Sequence, residues 1–202
     1  MSGPQPVLLI LGGINGAGKS TQAAGLAARS QMAGLPFLDP DRVATALMAA
    51  RPGIGLNAAN FIALRQIAET MRNMLATDRS FVTESVLAGV SPRRLCLEAQ
   101  QHGWLARLLF IGVPRVEDAI ARVALRVSKG GHAVPEADIR RRWPRTHANL
   151  AWFARHADAV DVFANGVHGA PPVLVARVRA GHVELLDADV LPTATAALRP
   201  LS

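Results

Sequence analysis

The sequence predicts an α/β domain built on a mainly parallel sheet of about five strands, with helices on both faces. Short apolar runs of strand length alternate along the chain with longer stretches of helical periodicity. Half of the 202 residues are hydrophobic, which excludes a largely disordered chain. At the usual size of about 100–200 residues per domain, we expect a single domain over residues 1–202.

Short apolar runs indicate the strands. The first, Val7–Gly12, is apolar throughout, as expected for a strand that is buried on both faces. Four more strands are predicted at residues 35–38, 80–83, 105–113 and 158–164. Two runs near the end of the chain, at residues 173–178 and 183–186, flank a glycine-containing turn and predict a C-terminal hairpin.

Stretches of helical periodicity fill the intervals between the strands. The clearest lies between Asn57 and Asp78, where apolar residues recur on one face. The remaining helices are predicted at residues 19–32, 41–51, 91–101, 116–128 and 135–156. We expect Pro144 to kink or divide the last of these. The chain after Asp187 carries little signal.

The strongest motif lies between the first strand and the first helix. The run Gly13-Ile14-Asn15-Gly16-Ala17-Gly18-Lys19-Ser20 fits the phosphate-loop pattern G-x-x-x-x-G-K-[ST] at every fixed position. Glycines let backbone N–H groups turn towards phosphate oxygens, and the N-terminus of the following helix adds a favourable dipole. We expect Lys19 to reach the β- and γ-phosphates of ATP, and Ser20 to bind Mg²⁺. The nucleotide contacts are predicted at Gly13, Asn15, Gly16, Ala17, Gly18, Lys19, Ser20 and Thr21.

A phosphate loop occurs in several classes of enzyme, and two of these classes lack support here. The chain has no Asn-Lys-x-Asp motif, by which GTPases read guanine. It has neither the Leu-Ser-Gly-Gly-Gln signature of transporter ATPases nor their apolar strand ending in Asp-Glu. A small phosphotransferase is therefore the favoured interpretation.

Acidic residues follow two of the predicted strands. Asp39 and Asp41 come after the second strand, and Glu84 comes after the third. In an open parallel sheet, ligands bind beyond the carboxyl ends of the strands, where the phosphate loop also lies. A carboxylate there can accept a proton from a substrate hydroxyl or hold Mg²⁺ through water. Two alternatives stay open, a helix N-cap for Asp41 and a turn residue for Asp39.

A basic segment at about residues 115–145 predicts a lid over the phosphates. Two glycines, Gly130 and Gly131, separate its two helices. Arg122 and Arg126 lie four residues apart and share one helix face. Such a helical pair can fold arginines over a triphosphate and exclude water. The alternative is a solvated basic face. The segment holds eight of the 22 basic residues: Arg115, Arg122, Arg126, Lys129, Arg140, Arg141, Arg142 and Arg145.

From Gly12 to about Asn165, the chain resembles the zeta toxin family of P-loop kinases. The loop up to Thr21 is similar to that family's Asn-Gly-x-Gly-Lys-Ser-Thr. The resemblance also covers four further segments: Asp39-Pro40-Asp41-Arg42-Val43-Ala44, Thr83-Glu84-Ser85-Val86-Leu87-Ala88-Gly89, the paired Arg122-Val123 and Arg126-Val127, and Gly130-Gly131-His132 with Val134-Pro135, Ile139 and Arg141-Arg142.

The resemblance implies a kinase that uses ATP and Mg²⁺ to phosphorylate the 3′-hydroxyl of the amino sugar in UDP-N-acetylglucosamine. It implies Asp41 as the general base, with Lys19 and Arg126 also catalytic. Arg122 and Arg126 would bind the phosphates of ATP, Arg142 would contact the acceptor, and Glu84 would contact either the acceptor or a water on the metal. It further implies an antitoxin protein as a partner.

The chain departs from the family at positions that would read the acceptor. Val86 and Ala88 stand where hydroxyl-bearing residues are expected, and Asp39 stands where asparagine is usual. Another sugar, a nucleoside or a cofactor hydroxyl therefore stays open as the acceptor.

Composition bears on the remaining classes of partner. The formal net charge is +7, but the aromatic fraction is 4% and tyrosine is absent, so stacking platforms for nucleic acid are scarce. We expect no nucleic-acid partner, although a nucleotide-dependent switch is an alternative to a kinase.

The single cysteine, Cys96, excludes an intrachain disulfide framework. The run Val7–Leu11 is too short to span a membrane, so we expect a cytoplasmic protein.

Overall fold

The structure is a computed structural model that describes residues 5–29, 34–166 and 170–199. The strands of these residues form one sheet, whose first five strands in space are parallel and whose last two are antiparallel. This arrangement confirms the predicted mainly parallel sheet with a C-terminal hairpin. The strands are β1 (Val7–Gly12), β2 (Phe37–Leu38), β3 (Phe81–Ser85), β4 (Leu105–Gly112), β5 (Ala159–Ala164), β6 (Val173–Arg179) and β7 (His182–Leu185), in the spatial order β2-β3-β1-β4-β5-β6-β7.

The helices of the described residues lie close to the predicted positions. They are α1 (Lys19–Arg29), α2 (Pro40–Ala50), α3 (Leu56–Ala76), α4 (Ser91–Gln101), α5 (Val116–Ser128), α6 (Glu136–His156) and α7 (Pro192–Leu198). The predicted end of the first helix falls at residues 30–33, outside the described part of the chain. The last helix, α7, lies in the segment that carried little signal. Its apolar residues Leu191, Ala194 and Leu198 recur at helical spacing, but over too short a stretch for the period to be recognised.

Helix α6 runs unbroken through Pro144, so the expected division of this helix is wrong. A proline inside a helix lacks the N–H that would bond to the carbonyl four residues earlier, here that of Arg140. Because Pro144 is exposed, water can reach that carbonyl. Within the described residues, neither α6 nor any other helix is long and apolar enough to cross a membrane.

Buried side chains cover both faces of the sheet. In β1, Leu8 and Ile10 pack into one core together with residues of α3, α4, α6 and α7. Leu9 and Leu11 pack on the opposite face, against α5 and the start of α6. These four side chains are at most 2% exposed. The loop that follows β1 therefore begins from a strand that is fixed on both faces.

The carboxyl ends of β1 and β3 lie side by side. In their parallel register, Leu11 is opposite Glu84 and Gly12 is opposite Ser85. Glu84 is therefore the last residue but one of β3, and not the residue after the strand, as the sequence led us to expect. This register brings the Glu84 carboxylate to the sheet edge from which the phosphate loop leaves.

The packing of α7 gives a stability prediction. Leu198 is 0% exposed, so its replacement by alanine leaves a cavity in the core. We expect Leu198→Ala to lower the free energy of unfolding by about 2–5 kcal/mol. Leu186→Ala is the matched control, because Leu186 is 46% exposed, and we expect a loss within about 1 kcal/mol. Urea unfolding measures both, and equal losses would show that α7 is not part of the core.

Candidate active site

The phosphate loop is shaped by close backbone contacts. Gly16 has φ +85°, and a Cβ at this position would lie 2.3 Å from the carbonyl oxygen of Ala119. Only glycine fits there, because both the conformation and the contact exclude a side chain. Ala119 belongs to α5, so the first helix of the basic segment packs directly against the loop.

Lys19 is the most buried charge of the site, with 5% of its side chain exposed. Its Nζ donates to the carbonyl oxygens of Gly13 at 2.8 Å and Ile14 at 3.2 Å, and lies 3.5 Å from Glu84 Oε1. Burial lowers the pKa of Lys19, and the charge of Arg126 lowers it further, whereas the carboxylates of Glu84 and Asp41 raise it. The ammonium therefore depends on neighbouring anions, which suits a site that binds phosphate.

Ser20 and Glu84 form a pair of oxygen ligands next to Lys19. Ser20 Oγ donates to Glu84 Oε2 at 2.8 Å. A hydroxyl and a carboxylate are ligands that suit Mg²⁺, which keeps several waters and binds phosphate oxygens as well. No group of three His, Cys, Asp or Glu side chains that could hold a metal occurs in the described residues. These two residues therefore fit a shared Mg²⁺ site that ATP and water complete.

The structure separates the roles open to Asp39 and Asp41. Asp39 is the N-cap of α2, because its Oδ1 accepts from the backbone N–H of Asp41 at 2.9 Å and of Arg42 at 3.4 Å. Asp41 lies in the first turn of α2 and is exposed. Its charge raises the pKa of Lys19, which places it within electrostatic reach of the phosphate loop. The helix N-cap considered for Asp41 is thus wrong, and Asp39 has that role.

Six of the seven arginines of the basic segment fall into two groups. One group forms exposed ion pairs: Arg115 with Asp118, Arg140 with Glu117 and Glu136, and Arg141 with Asp138. For this group, the solvated-face interpretation holds.

The second group reaches the phosphate loop or its neighbours. Arg142 Nη1 donates to Asn15 Oδ1 at 2.9 Å, while its Nη2 lies 3.6 Å from Asp138 Oδ2 in an ion pair. Arg126 Nη2 donates to the carbonyl oxygen of His132 at 2.7 Å, and its charge acts on Lys19. Arg122 Nη2 donates to the carbonyl oxygens of Asn165 and Gly166, so one of its nitrogens is engaged by the backbone after β5. Thr21, predicted as a further contact, lies exposed in the first turn of α1.

Helix α6 holds the loop that follows Glu84, a contact that the sequence did not reveal. Thr146 Oγ1 donates to the carbonyl oxygen of Val86 at 2.8 Å, and Asn149 Nδ2 donates to those of Leu87 and Gly89. Leu87 is fully buried and adopts φ +58°, which is unusual for a residue other than glycine. The polar residues of α6 could have been noticed, but nothing local shows which loop they contact.

Comparisons with known proteins agree with this geometry. A family model described as an AAA domain (AAA_33) matches residues 8–147, from β1 into α6. An "uncharacterized protein" of Haemophilus influenzae is 30% identical over 131 residues, which cover 65% of this chain and 88% of that protein.

Two solved structures resemble nearly the whole chain. The AvrRxo1-ORF1:-ORF2 structure with ATP has a TM-score of 0.71 and 19% identity, over 96% of this chain. The chain spans only 64% of the length of that protein. The structure of the PezAT chromosomal toxin-antitoxin system of Streptococcus pneumoniae has a TM-score of 0.67 and 14% identity, over 100% of this chain and 88% of that chain. These likenesses confirm the α/β P-loop kinase fold that the sequence predicts.

The contacts of Glu84 give the first prediction for the site. Glu84→Gln keeps the size of the side chain but removes the negative charge shared by Lys19 and Ser20. We expect the affinity for ADP to lose its dependence on Mg²⁺ and to fall at least about tenfold with Mg²⁺ present. Calorimetric titration with and without Mg²⁺ measures this effect. Glu98→Gln, an exposed change on α4, is the control, and an equal loss there would contradict the assignment.

A second prediction concerns the turn that holds Arg126. A Cβ on Gly131 would lie 2.5 Å from Arg126 Cγ and 3.0 Å from its carbonyl oxygen. Gly131→Ala must therefore displace Arg126, and we expect the affinity for ATP to fall about tenfold while that for ADP changes little. Gly25→Ala is the control, because no atom lies within 4 Å of the added methyl group. Equal titrations of ATP for both variants would show that the turn does not position Arg126.

Proposed function

The chain belongs to the AAA domain family, and from this premise we propose that it is an ATP-dependent kinase of the zeta toxin type. The proposal is that it transfers the γ-phosphate of ATP to a hydroxyl of a small molecule. The observation that carries it is the Glu84 carboxylate, which lies 2.8 Å from Ser20 Oγ and 3.5 Å from Lys19 Nζ at the edge where Asp41 is exposed.

The residues of the phosphate loop bind and neutralise the donor in this proposal. Backbone N–H groups of residues 13–20 hold the β- and γ-phosphates, and Lys19 stabilises the charge that develops on the transferred group. Arg126 and Arg122 add positive charge from α5 and exclude water from above the phosphates. Ser20 and Glu84 would hold Mg²⁺, which would supply further positive charge to the phosphates.

Asp41 serves as the general base in the proposed transfer. Its carboxylate takes the proton of the acceptor hydroxyl while the acceptor oxygen forms a bond to the γ-phosphorus. The bond between that phosphorus and the β–γ bridging oxygen breaks, and ADP leaves with the electron pair. Asp41 suits this role because its carboxylate is free of the capping bonds that occupy Asp39.

The acceptor and the partner protein are proposed from the similarity of this chain to other proteins. The resemblance to zeta toxins makes the amino sugar of UDP-N-acetylglucosamine the first acceptor to test. The AvrRxo1-ORF1:-ORF2 structure with ATP supports ATP as the donor, and the PezAT toxin-antitoxin system supports an antitoxin as a partner. We place the reaction in the cytoplasm, where ATP is available.

Product analysis tests the proposal directly. The protein is incubated with ATP, Mg²⁺ and a panel of sugar nucleotides, nucleosides and cofactors, and the products are identified by mass spectrometry. We expect one phosphorylated acceptor for the wild type. Lys19→Ala should abolish the transfer, because the phosphates lose their central positive charge.

The matched pair Asp41→Asn and Asp39→Asn tests the base. Asparagine caps a helix about as well as aspartate, so Asp39→Asn should retain the transfer rate. Asp41→Asn cannot accept the proton, so we expect it to bind ATP normally and to lose at least about a hundredfold in transfer rate. A retained rate in Asp41→Asn would make the assignment of the base wrong. Consumption of ATP without any phosphorylated acceptor would indicate a nucleotide-dependent switch instead.

A further inference from the structure

One buried polar side chain at the phosphate loop has no part in the mechanism above. Asn165 follows β5 directly and is 7% exposed. Its backbone N–H donates to the carbonyl oxygen of Gly112, the last residue of β4, at 2.9 Å. This bond fixes Asn165 at the carboxyl edge of the sheet, next to the loop that follows β1.

The side chain of Asn165 holds one peptide group of the phosphate loop. Its Nδ2 donates to the carbonyl oxygen of Ala17 at 2.8 Å, in a buried contact. In a planar trans peptide, the carbonyl oxygen and the next N–H point in opposite directions. By holding the Ala17 carbonyl towards its own side chain, Asn165 turns the N–H of Gly18 in the opposite direction. A phosphate loop binds its anion with N–H groups of this kind.

The conformation of Gly18 depends on the same contact. Gly18 has φ +90°, and a Cβ there would lie 2.3 Å from Asn165 Nδ2. Any side chain at position 18 would therefore push Asn165 away from Ala17. The glycine of the motif thus has two reasons to be present, its left-handed backbone and the approach of an amide from a distant strand.

Asn165 also connects the loop to α5. Arg122 Nη2 donates to the carbonyl oxygen of Asn165 at 2.6 Å and to that of Gly166 at 3.0 Å. The backbone of Asn165 thus binds the arginine of the lid helix, while its side chain binds the phosphate loop. Asn165 therefore fixes the position of the phosphate loop relative to the Arg122 guanidinium.

We propose that Asn165 is a positioning residue, which orients the Ala17–Gly18 peptide so that the loop can bind the phosphates of a nucleotide. The inference rests on the proposed function, since it requires nucleotide phosphates in the loop. It differs from a purely structural role because it concerns the direction of one N–H, and therefore phosphate affinity rather than folding alone.

The variant Asn165→Asp tests this role, because it keeps the shape of the side chain and removes the donor. An ionised carboxylate only accepts hydrogen bonds, so it repels the Ala17 carbonyl. We expect the dissociation constant of ADP, measured by calorimetry at about pH 8, to rise at least about tenfold over wild type. Burial against a carbonyl raises the pKa of the introduced carboxyl, whereas the Arg122 guanidinium, which binds the backbone of this residue, lowers it. The protonated form can donate again, so the ratio of variant to wild-type constants should be smaller at about pH 5.5 than at about pH 8.

Gln100→Glu is the matched control for loss of an amide donor. Gln100 Nε2 donates to the carbonyl oxygen of His156 at 2.8 Å and to Asp158 Oδ2 at 3.2 Å, at the opposite edge of the sheet. We expect this control to lower the melting temperature and to leave ADP binding at the wild-type value at both pH values.

Three results would overturn the proposal: wild-type ADP affinity in Asn165→Asp, an equal loss in Gln100→Glu, or a defect that does not shrink as the pH falls. If Asn165→Asp does not fold, Asn165→Ala takes its place, because it removes the donor without adding a charge. Wild-type affinity in that variant would also refute the role. If the wild type itself does not bind ADP, the proposed function fails instead, which the titration of the unmodified protein decides first.

Discussion

Burial of the Lys19 ammonium is the constraint on which the rest of the site depends. Removing a charge of this kind from water costs several kcal/mol, and the cost is offset only by close partners. Two loop carbonyls and the Glu84 carboxylate surround Nζ within 3.5 Å. This carboxylate comes from β3, which is hydrogen-bonded to β1 with Glu84 opposite Leu11. The pairing of β3 with β1 therefore supplies the carboxylate that stabilises the buried ammonium of Lys19.

A single helix relates the two loops of the site. Along α6, Arg142, Thr146 and Asn149 are spaced four and three residues apart, so they share one face. Arg142 contacts the phosphate loop, and the other two hold the loop that follows Glu84. Because α6 runs unbroken past Pro144, the distance between these contacts is set by helical geometry. Movement of α6 would therefore displace both loops together, which couples the phosphate loop to the loop beside Glu84.

The sequence predicts those parts of the site that are formed by a continuous stretch of residues. The phosphate loop is continuous in sequence, so its strand, turn and helix were recognisable. A sequence pattern gives the start of a helix such as α2 only to within one or two residues. It therefore could not show whether Asp39 or Asp41 is the N-cap. Asn165 carries the same signal as Glu84, a polar residue at the end of a buried strand. Its contact with Ala17 spans 148 positions, and no local pattern reports it.

The arginines of residues 115–145 differ in the partners that their guanidinium groups bind. An arginine that pairs with a carboxylate loses much of its attraction for phosphate, as Arg115 does with Asp118. Arg122 and Arg126 instead donate to backbone carbonyls, which orient the guanidinium group and leave its net charge in place. A guanidinium has five N–H donors in a planar fork, so it can keep its carbonyl and still bind a phosphate oxygen. Lysine carries its three N–H donors on one compact ammonium, which cannot present two parallel donors to a phosphate as the planar guanidinium can. The preference for arginine in this segment therefore has a local cause.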